Sequence, residues 1–446
     1  MKYSALFLAL IAFQSVNALE FSGNSFAPIE VNPESNTGLE AIYVLDSTAG
    51  IRASYTSTSG GSITWKRFSN LGGGFAEDVA YTTNGNTTSI ALAAGDMGYI
   101  IEDNGRQHCF WIVDYSQHHL SLGSLTPADE RDCGRQVLDF TGNADEIVYY
   151  TINGRRVTLS RDLELTYSTL VFDDTNFVYN TVETSLSYPS ISSKVSVSPA
   201  SLCSTTFSLN GDRFLRAWNQ EQSIESPIVD PIAVEANTRA TQTARENNDN
   251  EISDGETEYG GSAPCEITFE AAVSDAAIFH EWQISRSPDF EIYELTYSEL
   301  EFTYTFQEQG TSYVRLYVAN ADADCDYIGP TYEVFIGESR LDIPNAFSPE
   351  NQDGVNDEWK VSYKSLVSYE CHIFNRWGQQ LFSSTNPSEG WDGKRGGKFV
   401  GPGVYYYVIK AKGADGIEYN KAGDINIIGY SEGSTSTSGS TDGAAE

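Results

Sequence analysis

The chain has 446 residues, 40% of them apolar and 12% aromatic, enough material for several hydrophobic cores, so disorder throughout is excluded. Against 62 Asp and Glu stand only 27 Lys and Arg, a net charge of -35. A surface that acidic repels phosphate backbones and anionic head groups, which excludes a general nucleic-acid or membrane-surface binder.

At the N-terminus Lys2 precedes an apolar run, Leu6 to Phe13, and Val16-Asn17-Ala18 closes it with small residues. That order reads as an export signal, residues 1–18, cut between Ala18 and Leu19. The run is too short to span a bilayer, which takes about 20 apolar residues, and no later stretch approaches that length. The mature chain is therefore expected to be exported and to lack a membrane span.

Export makes the six cysteines readable as disulfide candidates. Their connectivity is not fixed by sequence, but locality favours Cys109 with Cys133 and Cys265 with Cys325. Cys203 and Cys371 are left as buried thiols. No two cysteines have the C-x-x-C spacing that converges thiolates on zinc.

Nearly every patterned segment alternates with period two. Ala41 to Leu45, Ser62 to Phe68, Gly98 to Ile101 and His108 to Val113 read as short strands between Gly- and Asn-rich turns. Asp96-Met97-Gly98-Tyr99 resembles the tyrosine corner of immunoglobulin-like sandwiches, so residues 19–116 are expected to form one sandwich. Residues 117–219 continue the style as a second. Glu146 to Ile152 and Arg156 to Ser160 flank Asn153-Gly154, a two-residue turn signal. Thr126-Pro127 is expected to open a helical turn reaching Glu130.

After Trp218 the composition becomes acidic and almost free of aromatics, so residues 220–262 read as a solvated linker. The alternation at Ile232 to Thr238 offers the other reading, a strand and a long loop of the next domain. Residues 263–338 alternate cleanly, with Trp282 placed as a central core residue. They resemble immunoglobulin-like or polycystic-kidney-disease-type modules of bacterial surface proteins. Residues 431–446 contain only Ser, Thr, Gly, Ala, Asp and Glu and are expected to form a flexible tail.

Between the third block and the tail stand five motifs in order. They are Pro344-Asn345-Ala346-Phe347, Asp353-Gly354-Val355-Asn356-Asp357, Phe374-Asn375-Arg376-Trp377-Gly378, Trp391-Asp392-Gly393 and Pro402-Gly403-Val404-Tyr405. Phe374 and Trp377 are expected in a small sandwich core, and Val404, Tyr406 and Val408 share a strand face. The segment resembles the gliding-motility-associated C-terminal domain, the type B sorting domain of the type IX secretion system, and residues 339–430 are assigned to it. The resemblance implies a Gram-negative bacterium of the Bacteroidota, the type IX machinery as partner, and passage through the outer membrane to the cell surface or medium. The family usually has Pro-Asn-Gly-Asp-Gly, whereas this chain runs Pro349-Glu350-Asn351-Gln352-Asp353-Gly354, one residue longer, and it adds the tail.

Asn351, Asp353 and Asp357 surround a Gly turn as calcium ligands do, but a structural turn is the stronger reading because calcium takes six or more oxygens. The alternating Asp322, Asp324 and Asp326 are read as a solvated hairpin tip. Adjacent His118 and His119 would point to opposite faces of a strand and could not share a metal. Carboxylate pairs such as Asp173-Asp174 follow from the number of acids. No nucleophile elbow, phosphate loop or zinc-helix motif is present. The expectation is an all-β chain of tandem immunoglobulin-like sandwiches ending in a sorting sandwich. It would serve without enzymatic activity or cofactor as a structural or adhesive surface protein for a glycan or protein ligand. The alternative is a secreted glycan-processing enzyme or its binding accessory.

Overall fold

The computed structural model describes residues 19–429 except 59, 73, 246, 247, 254, 256 and 351. The expected signal peptide with Ala18, the tail 431–446 and Asn351 lie outside the described residues. Strands make up the fold, and no helix among the described residues is long and apolar enough to cross a membrane. Two compact units are present. The first holds residues up to Ala233 apart from Asn176–Val178, and the second holds those three and everything from Val234.

The first unit begins with a sandwich of a four-stranded and a six-stranded sheet. Ala41–Leu45 is buried at all five positions, an apolar run covered on both faces, and lies parallel to Arg106–Asp114. Tyr99 accepts the Ala93 amide on its hydroxyl at 2.9 Å, tying the corner back to the backbone. The next sheets are built on Ser121–Pro127, Gln136–Asn143 and Leu163–Asp173. Ile147–Tyr150 and Arg156–Leu159 form the hairpin around Gly154, whose φ is +77°. The expected helical turn at Thr126–Glu130 is not formed. Thr126 and Pro127 pair with Asp139 and Leu138 at the end of a strand, where a missing N–H is tolerated and a five-residue helix cannot compete.

A single cluster of buried side chains runs from Leu39 and Trp111 through Leu138 and Phe207 to Val229, so the sheets before and after residue 116 share apolar packing. An ion pair lies within this body. Arg161 and Asp212 have fully buried side chains and meet at 2.6 Å. The Arg161 guanidinium also donates to the carbonyls of Asp145 and His118. The other oxygen of Asp212 caps the helix Arg213–Ala217 by accepting from Phe214 and Leu215, and Tyr115 donates its hydroxyl to the pair.

The second unit opens earlier than residue 263. The segment 220–262 is not an unstructured connector: it carries the strands Gln222–Glu225, Ala236–Gln242 and Tyr259–Gly261. Ala236–Gln242 pairs antiparallel with Cys265–Val273, and Tyr259–Gly261 runs parallel to Tyr332–Ile336. All three stand at sheet edges, where one side meets water, so acids and Thr are admitted and the composition resembles a linker. Trp282 is fully buried in this sandwich, against Phe269 and Phe302.

The expected Cys109–Cys133 and Cys265–Cys325 bridges are not formed. Cys133 and Cys325 are disulfide-bonded, whereas Cys109, Cys265 and Cys371 are buried free thiols, and Cys203 is buried beside Ser201. Cys109 sits mid-strand in the core, but Cys133 lies on an exposed turn. Cys265 follows Gly261, which pairs with Ile336 opposite Gly310. Cys325 lies beyond Ala319 at the far end of the same strand, roughly 30 Å away at about 3.3 Å per residue. A bridge closes only within about 7 Å between Cα atoms.

Two outcomes follow for solution work. Replacing Asp212 with Ala strands a buried guanidinium and should cost about 3–5 kcal/mol in urea or thermal unfolding of the first unit. Burial pushes the Cys109 thiol up to about 11, helped by the Glu40 charge, and likewise raises Cys371 to about 11. Iodoacetamide at pH 8 should therefore leave both unmodified in the native chain and label both after denaturation without reductant. Cys133 and Cys325 should react only after reduction, and peptide maps showing Cys109 bridged would refute this.

Candidate recognition surface

The five motifs lie in one small sandwich whose main sheet has five strands. In spatial order these are Ala346–Phe347, Glu418–Ile427, Gly403–Gly413, Leu366–Phe374 and Gln380–Ser384. Its core is organised by two buried tryptophans. Trp359 and Trp391 exchange backbone hydrogen bonds at 2.9 and 3.0 Å, and their indole nitrogens donate to the carbonyls of Pro344 and Lys394. The Trp391 ring meets Phe347 and Tyr405, with centroids 5.5 and 5.4 Å away. Trp359 stands outside the five motifs; the signal that marks it is the period-two alternation of Trp359, Val361 and Tyr363, all of which face inward.

The remaining motif residues shape turns. Asn345 accepts the Asn426 amide, Asn356 accepts the Ser348 amide, and Asp392 caps the Lys394 amide. Gly393 adopts a φ of +70°, and a Cβ there would stand 2.6 Å from the Pro349 ring, so only glycine fits. Asn375 accepts the amides of both Trp377 and Gln379, holding a tight hairpin closed by Gly378. Tyr405 donates its hydroxyl to Gly401 beside Pro402.

Trp377 is not a core residue: the hairpin carries it outward and leaves it 81% exposed, with the Arg376 guanidinium over its ring. Phe374 is half-buried. The shared face of Val404, Tyr406 and Val408 also points outward, while Tyr405, Tyr407 and Ile409 face the core. Beside Trp377 runs a groove of about 330 Å³ lined by Arg376, Leu381, Arg395, Pro402 and Gly403 among others. Arg395 donates to Gln379, and neither arginine has a carboxylate partner among the described residues. Arg376, Trp377, Pro402 and Gly403 thus meet around one groove.

This sandwich is not separate from the one before it. Gln309 donates to Ala414, Ser262 accepts the Ser365 amide, and Asn250 reaches Val361 and Pro387. At the junction the Ser339 hydroxyl bonds both Asp415 and the Tyr419 hydroxyl. Burial there opposes ionisation of Asp415, but donors from Ile417 and Ser339 outweigh it and hold the carboxyl below its usual range.

The other sequence candidates are dispersed. Asp357 accepts the Gly354 amide and Asp353 accepts that of Val355, so both carboxylates serve the turn. Among the described residues no group of three His, Cys, Asp or Glu could hold a metal ion. His118 bonds Asp96 at 2.7 Å, whereas His119 is exposed. Asp324 bonds Asn320 in the turn before Asp326–Ile328, and Asp173 caps Thr175. On the preceding sandwich, Phe279, His280, Glu281, Tyr317, Ala319 and Ala323 line a shallow hollow of about 400 Å³. Phe279 and Ile328 are about half exposed there, and Ile328 lies opposite Tyr317.

Residues 341–427 match the CHU_C type IX secretion signal domain, and residues 125–226 match a fibronectin type III domain. No curated protein matches the chain. Among solved structures, a tetra-tandem repeat from the extending region of a large adhesion protein is 9% identical over 86% of this chain and 96% of its own, with a TM-score of 0.22. Dimeric latent PorU from Porphyromonas gingivalis is 13% identical over 72% and 35%, at 0.15. The BSP domain of a biofilm associated protein is 9% identical over 92% and 96%, at 0.16. Superposition that loose carries no argument about this chain. The secretion signal does: it directs export through the outer membrane, to the cell surface or the extracellular space.

The two motif tryptophans should separate in a stability assay. Trp391→Ala empties a fully buried site and should cost about 3–5 kcal/mol. Trp377→Ala, at the exposed turn, should change unfolding free energy by no more than about 0.5 kcal/mol. Equal losses in thermal or urea denaturation would refute the placement.

Proposed function

We propose that this chain is a structural or adhesive surface protein, exported by the type IX machinery and meeting a glycan or protein through the sandwich of residues 236–336. The observation that carries the reading is the hollow at Phe279 and Tyr317. Exposed Phe279 there shares a sheet face with Glu281 and with Tyr317, which lies opposite Glu281 on the neighbouring strand. Aromatic faces take the apolar side of a sugar ring or an apolar side chain, while neighbouring polar groups fix its orientation. The sheet supplies that geometry without loop ordering, which limits the entropic cost of binding. At the other end of the unit, the exposed Trp377 and its two arginines offer the machinery a folded surface rather than a linear address.

Glycan-array and cell-binding measurements on the mature chain test the adhesive reading. Phe279→Ala combined with Tyr317→Ala should weaken a detected interaction about tenfold or more while the melting curve is kept, as loss of an interface anchor does. Undiminished binding by that variant would exclude this face. Export is tested by fractionating the native host. The chain lacking residues 341–429 should accumulate in the periplasm, and normal display of it would sink the export reading.

A further inference from the structure

The match to the secretion signal starts at residue 341, yet the sandwich is completed by a strap from far upstream. Asn250 donates from its side-chain amide to two carbonyls, Val361 at 2.6 Å and Pro387 at 2.8 Å. Its own carbonyl accepts the Tyr363 amide, and Ile252 donates back to the Tyr363 carbonyl. Glu251 thereby lies in a parallel bridge with Tyr363. The strand Ser362–Lys364 is paired on its other side by Arg340–Asp342, so the strap supplies its second edge. A second anchor follows at Ser262, whose hydroxyl accepts the Ser365 amide at 2.7 Å, while Ala263 donates to the fully buried Ser365 hydroxyl.

These contacts meet the signal at a particular place. Val361 lies two residues after Trp359, and Pro387 lies four before Trp391. Asn250 therefore staples the same two chain segments that the reciprocal tryptophan bonds hold together. Val361 and Tyr363 are almost completely buried, so their carbonyl and amide groups would be left without partners if the strap were absent. The strap itself is anchored in the preceding sandwich through Ser262, Ala263 and the strand that begins at Cys265.

We propose that the export signal is composite, with Asn250 and Ser262 as positioning residues that complete it. The proposal rests on residues 341–427 being the export address. Because the strap arrives with the preceding sandwich, the address becomes readable only when that sandwich has folded. A chain with an unfolded third sandwich would then present an incomplete address and stay in the periplasm. Export would be coupled to folding of the cargo beside the signal.

The test uses the full chain in its native host, with Asn250→Ala, Ser262→Ala and the surface control Glu333→Ala. Removing the two donors of Asn250 should lower the surface-displayed fraction about tenfold, with the protein recovered from the periplasm, while the control is displayed normally. Hydrogen exchange on the purified variant should accelerate at residues 359–363 and 386–393 and stay unchanged at 265–273 and 310–319. Ser262→Ala should act in the same direction through Ser365. Normal display of both variants would overturn the proposal. So would faster exchange throughout the second unit, which would make the effect a general loss of stability. Display of the chain lacking 341–429 would instead remove the export reading itself, whatever these variants do.

Discussion

The reciprocal backbone bonds between Trp359 and Trp391 are the constraint on which the signal domain depends. Two large side chains cannot be buried side by side unless their own amides and carbonyls are satisfied, and each tryptophan satisfies the other. Three of the five motifs supply this pair or its neighbours. Pro344 takes one indole N–H, Phe347 and Tyr405 close on one ring, Tyr407 closes on the other, and Gly393 is small because Pro349 presses on it. These three motifs, scattered along the chain, are fragments of a single packing arrangement.

Much of this arrangement is legible in the sequence itself. Alternation with period two marks the strands, and the turn residues mark the hairpins, because both depend on local backbone geometry. Parity is harder. The run Val404-Tyr405-Tyr406-Tyr407-Val408 is apolar at every position, so hydropathy gives no face; contact of Tyr405 with Trp391 decides it. Trp377 and Trp391 are the same residue with opposite fates, since one rides an outward hairpin and the other faces the bridge. Edge strands hide in the acidic stretch because one side of an edge needs no apolar residues. Disulfide pairing is not legible at all, because nearness along a chain does not survive a sandwich, whose strands carry neighbouring residues to opposite ends.

The two units solve the problem of long-range closure differently. In the second, separation along the sequence is bridged by backbone pairing, with the strap Asn250–Ile252 laid against Tyr363. In the first, closure is electrostatic, and the pair of Arg161 and Asp212 gathers carbonyls, a helix cap and a tyrosine hydroxyl from separate segments. Backbone pairing tolerates side-chain change, whereas a buried charge does not.

That difference has an evolutionary consequence. Losing either member of the Arg161–Asp212 pair leaves an uncompensated charge in the core, while replacing both with apolar residues of similar volume can be nearly neutral. Intermediates with one change are therefore disfavoured. Positions 161 and 212 should covary among descendants of this fold, switching together or not at all, whereas the residues around Tyr363 can drift one at a time.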